Sequence, residues 1–293
     1  MLIKFAENAD NNRIIEGLKE IFKLQNCVIY IIAFLISMVT IQNTILPFGL
    51  AMIAGCVGSA VPVFVVYVIV LLSTAIFHGG SLFAEVFFTS LIFMALTYLF
   101  KTKIFLDDRN EVFKVGSRMF FANLIYNYIR IIRAGASSKE LFLALVYASF
   151  IYVFYKIFVN GIALIRDYMG KDAFTKEEAI AASIIFVLAI SCLNTIKLFN
   201  AVTITSMLTI CIIIYLALKY GPIVGITSSL SLGIILLMVG NFDQHEIGLF
   251  TIVGVVARIV SYYFSKAKNC RFIGKKGLFN WCRWNKIRCI WRN

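Results

Sequence analysis

The sequence predicts an all-α, polytopic integral membrane bundle of about ten transmembrane helices. Three observations predict it. Hydrophobic residues make up 61% of the 293 and charged residues only 15%, against roughly 45–50% and about 25% in a soluble domain. The mean hydropathy of +0.89 comes from runs of Ile, Leu, Val and Phe without strand-like alternation, and runs of about 18 or more apolar residues read as membrane spans. The basic residues gather in a few connecting stretches and in the tail, as they do in cytoplasmic loops of membrane proteins. This composition argues against a water-soluble enzyme. The excess of 28 Lys and Arg over 15 Asp and Glu suits an anionic lipid surface rather than nucleic acid, since no aromatic and basic face stands apart from the spans.

Residues 1–26 are polar and amphipathic and are expected in the cytoplasm, with no small-residue cleavage site in the apolar run that follows. The membrane domain is expected over 27–265 and a basic, cytoplasmic tail over 266–293. The first span runs from Cys27 to Leu46. Pro47 and Pro62 open two short spans, since proline is tolerated in a helix's first turn. The turn His78 to Ser81 leads into a fourth span, Leu82 to Phe100, and a charged loop follows. In the segment 117–134, Asn123, Asn127, Arg130 and Arg133 form a polar stripe at helical spacing, compatible with a span or an interfacial helix. A clear span covers 140–158, an amphipathic linker 159–178, and four further spans lie near 179–197, 201–218, 222–240 and 247–265. Counting 117–134 as a span gives ten crossings and returns both the 159–178 linker and the tail to the cytoplasm. Arg130, Arg133 and Lys139 then flank an outer turn.

Two small-residue ridges, Ala51, Gly55 and Ser59, and Gly221, Gly225, Ser229 and Gly233, recur every four residues as helix-packing stripes do in lipid. Ionisable groups at membrane depth are few. Glu85 falls in the first turn of its expected span, Lys156, Lys197, Lys219 and Arg258 lie near span ends where long side chains snorkel, and Asp243, His245 and Glu246 sit in a loop. No facing pair of carboxylates suggests a proton relay. His78-Gly79-Gly80 lacks a GxSxG partner, and phosphate-loop, dinucleotide and HExxH signatures are missing. The seven cysteines are too scattered for a disulfide framework or a zinc site: Cys27, Cys56, Cys192 and Cys211 lie in apolar runs, and the others in the tail. No catalytic residue, cofactor or metal is expected.

The order FTKEEAIAASIIFVLAISCLNTIKLFN, YLALKYGPIVGITSSLSLGIILLMVGN and GLFTIVGVVARIVSYYFSKAKN resembles the second half of the membrane region of the stage II sporulation protein E family. There an acidic pair opens a span, here Glu177 and Glu178, and a glycine-rich helix follows two spans later, here carrying Gly221, Gly225 and Gly233. Pro47, Phe48 and Gly49 are similar to the family's early Pro-Phe-Gly helix. The resemblance covers about residues 40–270, loosely in the middle. Cys192 and Asn194 stand where the family tends to have glycine, which marks a diverged member. The resemblance implies a ten-helix anchor in the bacterial cytoplasmic membrane, followed by a PP2C-type serine phosphatase domain that dephosphorylates an anti-anti-sigma factor and so releases the forespore sigma factor. It also implies placement at the asymmetric septum, self-association and a tubulin-like cell-division partner. This chain carries no residue of that phosphatase domain, so its expected role is anchoring. The alternative is a small-solute transporter or channel, marked by inverted repeats and broken helices; a membrane enzyme acting on lipid is disfavoured by the lack of an interfacial Asp, His or Ser constellation.

From about residue 270 the chain becomes rich in Trp, Cys and Arg where the family continues with a glycine-rich apolar helix. Two readings stand: a basic juxtamembrane segment that binds anionic lipid, or a frameshifted or truncated end, with which nine spans become admissible. Sequencing the locus past the codon for Asn293 separates them. A shifted frame encoding a glycine-rich helix and then an Asp-rich domain is the outcome expected of a frameshift, and an in-frame stop with neither downstream rules it out.

Overall fold

The computed structural model describes residues 21–41, 45–57, 59, 61–102, 111–135, 137–167, 175–193, 197–198, 202–240, 248–257 and 259–260. Most of the amphipathic start, the 241–247 loop with Asp243, His245 and Glu246, the Arg258 position and the basic tail lie outside them. Within the described residues the chain is helical apart from one two-residue antiparallel pair, Lys197–Leu198 (β1) with Val202–Thr203 (β2).

Helix α1, Leu24–Ser37, ends well short of the Leu46 expected from hydropathy. Its last hydroxyl, Ser37 Oγ, donates back to the Ala33 carbonyl at 2.6 Å. The β-branched residues Val39, Thr40 and Ile41 then favour extended backbone, and Ile41 and Ile45 exchange backbone hydrogen bonds at 2.9 and 3.3 Å. Pro47 begins α2, Pro47–Val57, at the position where its missing N–H costs nothing. Ser59 lies beyond this helix, and its Oγ donates to the Gly55 and Cys56 carbonyls, both at 3.2 Å, closing the helix end. Helix α3, Val63–Phe77, and α4, Gly79–Thr102, are joined by His78 alone, a turn made possible by Gly79 at φ +70°.

Helix α5, Glu111–Ala134, includes the whole polar stripe. Helix α6, Ser138–Asp167, runs 30 residues and absorbs the first part of the expected 159–178 linker. The reason is packing. Gly161 lies so close to α7, Lys176–Ser191, that a Cβ there would collide with the Ile185 side chain. Helix α8, Ile204–Tyr220, starts from β2, and its buried Thr205 Oγ1 donates to Ile190 O at the end of α7 at 3.2 Å. Gly221, at φ +98°, makes the turn into α9, Pro222–Met238. The last described helix, α10, covers Gly248–Ala257.

The core is organised around α2, of which every residue from Pro47 to Cys56 is buried. Its two ends meet α6 in order: Phe48 packs edge-to-face on Phe154, ring centroids 4.7 Å apart, and Gly55 lies against Phe158 and Ile162. The two helices therefore run parallel. On another side Gly49 lies against Val70 of α3 and Ser37 of α1, and Ser73 Oγ of α3 donates to Phe34 O of α1 at 2.9 Å. The α8–α9 pair closes through Gly225, where a Cβ would come within 2.6 Å of Ala217 Cβ and 3.0 Å of its Cα, and Gly254 of α10 seats on Ser229 and Gly225.

By length and apolarity, α4 (Gly79–Leu99) and α6 (Ser138–Arg166) are the two described helices able to cross a membrane unaided. The other apolar helices have 10–17 residues, about 15–26 Å at 1.5 Å per residue.

The close approach at Gly225 makes a test. Gly225→Ala forces the backbones of α8 and α9 apart and is expected to cost about 1–3 kcal/mol. Gly80→Ala, where a Cβ meets nothing within 4 Å, is expected to be neutral or stabilising by up to about 1 kcal/mol. Thermal unfolding of the detergent-solubilised chain reads both; equal midpoints for the two variants would contradict the contact.

Candidate functional site: a charged seam between helices

The one ion pair among the described residues lies inside the bundle. Glu85 of α4 has a side chain 3% exposed, and its Oε2 accepts from Arg130 Nη1 of α5 at 3.3 Å. Helix α4 begins at Gly79, so Glu85 stands in the second turn rather than the first turn expected from the sequence. The antiparallel register of α4 and α5 brings the two together, as the stacked rings of Phe88 and Tyr126, 6.3 Å apart, show one turn further along. The contact is single-pointed and longer than the about 2.7–2.9 Å of a strong charge-assisted bond. Arg130, 59% exposed, keeps part of its guanidinium outside the bundle, as a long basic side chain does.

The rest of the stripe continues inward. Asn123 and Asn127 are buried, and Asn127 Nδ2 donates to Asn123 O at 3.1 Å and Asn123 Oδ1 at 3.2 Å. Thr89, one turn beyond Glu85, is also buried. On α6, Tyr147 lies beside the Glu85 carboxyl and the Leu46 backbone in looser contact than a full hydrogen bond. Glu85 Oε1, Thr89 Oγ1 and Asn123 Nδ2 are buried without a hydrogen-bond partner among the described residues. Interhelical polar contacts of this kind act as glue between helices in lipid, and an acidic group at such depth marks a place where chemistry or specificity is concentrated. Arg133 stays at the exposed surface. The Asn123 and Asn127 part of the stripe is thus the inner face of a helix packed between α4 and α6, while its Arg130 and Arg133 end lies at the exposed surface.

The remaining sequence candidates are dispersed. Ala51 and Gly55 lie on buried α2, with Ser59 past its end. Gly225 and Ser229 face α8 and α10, Gly233 is buried, and Gly221 belongs to the turn before α9, off the ridge expected for it. The acidic pair has a concrete local role. Glu178 Oε2 accepts from Thr175 N at 3.1 Å while Glu178 N donates to Thr175 Oγ1 at 3.2 Å, a reciprocal capping box, and Glu177 adds negative charge to the same first turn. The T-x-x-E spacing carried that signal in the sequence. Lys156 Nζ lies 5.7 Å from the Tyr152 ring, and Lys219 Nζ 5.4 Å from those of Tyr215 and Tyr220. Cys27, Cys56, Cys192 and Cys211 are free thiols, and no group of three or more His, Cys, Asp or Glu among the described residues could hold a metal.

Sequence reasoning treated Glu85 and Arg130 separately. They are equidistant from the centre of the charged loop, near residues 107–108, so reading α4 and α5 as one helical hairpin would have paired them.

These features define an α-helical bundle with two candidate membrane spans and an ion pair between neighbouring helices. The family model described as the SpoIIE N-terminal domain matches residues 3–261. The chain therefore belongs to the SpoIIE N-terminal domain family. No curated protein and no solved structure matches it.

The seam predicts a coupling. Arg130→Met leaves a buried carboxylate without its cation and is expected to lose about 1–3 kcal/mol, below the 3–5 of a fully buried pair because the guanidinium is half outside. Glu85→Gln with Arg130→Met is expected to recover most of that loss in a double-mutant cycle read by thermal unfolding. Strict additivity would show that the two side chains do not interact.

Proposed function

We propose that this chain is the multi-pass membrane anchor and self-association region of a SpoIIE-type serine phosphatase, without catalytic activity of its own. The carrying observation is the parallel course of α2 and α6. Three helices separate them, and the two run the same way, as they do if α3, α4, α5 and α6 each reverse the chain. This supports α5 as a crossing helix and, with α7 to α10, ten crossings from a cytoplasmic N-terminus. The perimeter agrees: Phe64, Ile76, Ile223 and Ile252 are 60–75% exposed, a surface suited to lipid and costly in water. In this topology the Glu85–Arg130 pair lies toward the outer face. Arg130 is then paired with a carboxylate there, which leaves Arg133 and Lys139 as the basic residues flanking the outer turn. Helix α2, 11 residues long and about 16 Å, crosses only together with its irregular flanks; non-helical backbone at membrane depth is tolerated where protein surrounds it.

By resemblance, the anchor holds a phosphatase domain at the asymmetric septum, near the cell-division ring, where dephosphorylation of an anti-anti-sigma factor releases the forespore sigma factor. A second reading, a small-solute transporter or channel, draws on Glu85 and on the short central helix, since acidic groups and interrupted helices line transport paths. A fluorescent fusion of the chain in a sporulating host is expected to form a septal band, and the detergent-purified chain to elute as an oligomer. Uniform membrane fluorescence with a monomeric chain, together with solute flux in proteoliposomes that Glu85→Gln abolishes, would favour the transporter instead.

A further inference from the structure

Between α1, α7 and α8, where α6 finishes, lies a cleft of about 430 Å³. Its floor, formed by Ala179, Ile185 and Leu216, is buried or nearly so, while its walls, including Val28, Phe186 and Tyr215, are 40–55% exposed. The cleft therefore opens sideways onto the apolar perimeter. From Ala179 to Phe186 it follows α7 for about 10 Å.

The lining is apolar along its length. Ser183 directs its hydroxyl proton to Ile180 O at 2.7 Å and gives the floor no free donor. Charge enters at one end, where Lys219 Nζ donates to Tyr215 Oη at 2.9 Å and rests over the Tyr215 and Tyr220 rings. An aromatic pair thus holds an exposed ammonium at the mouth of an apolar slot.

We propose that this cleft binds an anionic glycerophospholipid, one acyl chain in the slot and the phosphate at Lys219. The match is between shapes and charges: an apolar slot that is laterally open and ends in a cation complements an amphiphile with a negative head. A free phosphate would leave the slot unused, and a zwitterionic lipid carries no net charge for Lys219. Basic pockets between membrane helices on the cytoplasmic side take acidic headgroups in this way. The inference rests on the membrane reading above, which puts the Lys219 end at the cytoplasmic leaflet.

The test is native mass spectrometry of the full chain released from nanodiscs made of equal parts phosphatidylglycerol and phosphatidylcholine. The expected result is retention of phosphatidylglycerol over phosphatidylcholine by about fivefold, the preference that one lysine near a headgroup supplies. Lys219→Gln is expected to bring the ratio close to one, and Ala182→Phe, which fills the slot, to remove retained lipid while circular dichroism shows the helices intact. Lys156→Gln, a lysine over a tyrosine on α6 away from the cleft, is expected to change nothing. Equal retention of the two lipids, or phosphatidylglycerol retention unchanged by Lys219→Gln and Ala182→Phe, overturns the proposal, as does a slot that keeps no lipid. Alkaline extraction of host membranes separates the failures: a chain released into the supernatant defeats the membrane reading, whereas a chain that stays embedded but shows no lipid preference defeats only the cleft.

Discussion

A helix of 11 residues with ten of them buried can exist only where other helices surround it, and the bundle is arranged around that constraint. Alone, α2 would be too short to be stable in water and too short to satisfy a bilayer of about 30 Å. Its stability comes from tertiary contact. Two glycines make the contact possible: Gly49 admits Val70 and Ser37, and Gly55 admits the Phe158 and Ile162 side chains. Phe48 and Phe154 then fill the space at the other end. In lipid, where burial of apolar surface gives little net drive between helices, such close packing is the main source of association. The long helix α6 is the natural partner because it presents Phe154, Phe158 and Ile162 on one face at helical spacing.

The Glu85–Arg130 seam is a different kind of constraint. Burying a carboxylate is costly, and a single long contact to a half-exposed guanidinium offsets only part of that cost. A well-packed apolar pair would stabilise the hairpin at least as well. What the ion pair adds is register: with Glu85 fixed against Arg130, α5 cannot slide by a turn along α4 without stranding a charge, and Asn123 and Asn127 are held toward the interior. The acidic residue thus has a structural reading that needs no transported ion. Its uncommitted Oε1, with Thr89 and Asn123 Nδ2 also unpartnered among the described residues, is what keeps a chemical role open to experiment.

Hydropathy made the helical character and most segment positions legible, and Pro47 marked the start of α2 because its lack of an N–H has one cheap place in a helix. Boundaries set by neighbours were not legible. Apolar side chains favour burial whether the backbone is helical or extended, so hydropathy carried α1 on to Leu46, while local backbone chemistry at Ser37 and the β-branched residues ended it. The second half of α6 looked like a linker because Asn160, Arg166 and Asp167 dilute its hydropathy, yet Gly161 and Ile162 pack inward. Gly221 fits a four-residue ridge by spacing alone, and only its φ of +98° assigns it to a turn. Within the seam, each polar residue was visible but its partner was not, since α4 and α5 meet across a separation of 45 residues.

A transporter needs one part of its structure to rock against another around a central site. Here the central element is α2, buried along its length; α4, α5 and α6 meet at the Glu85 cluster, and α6 is tied to α2 through Gly55. Opening a path along α2 would break the Phe48–Phe154 and Gly55–Phe158 contacts at once, because both join the same two helices. By contrast, α8, α9 and α10 form a satellite joined through Gly225, Ser229 and Gly254, with the cleft at its junction with α1 and α7. The packing is thus densest around α2, and the cleft lies at the junction of α8 with α1 and α7.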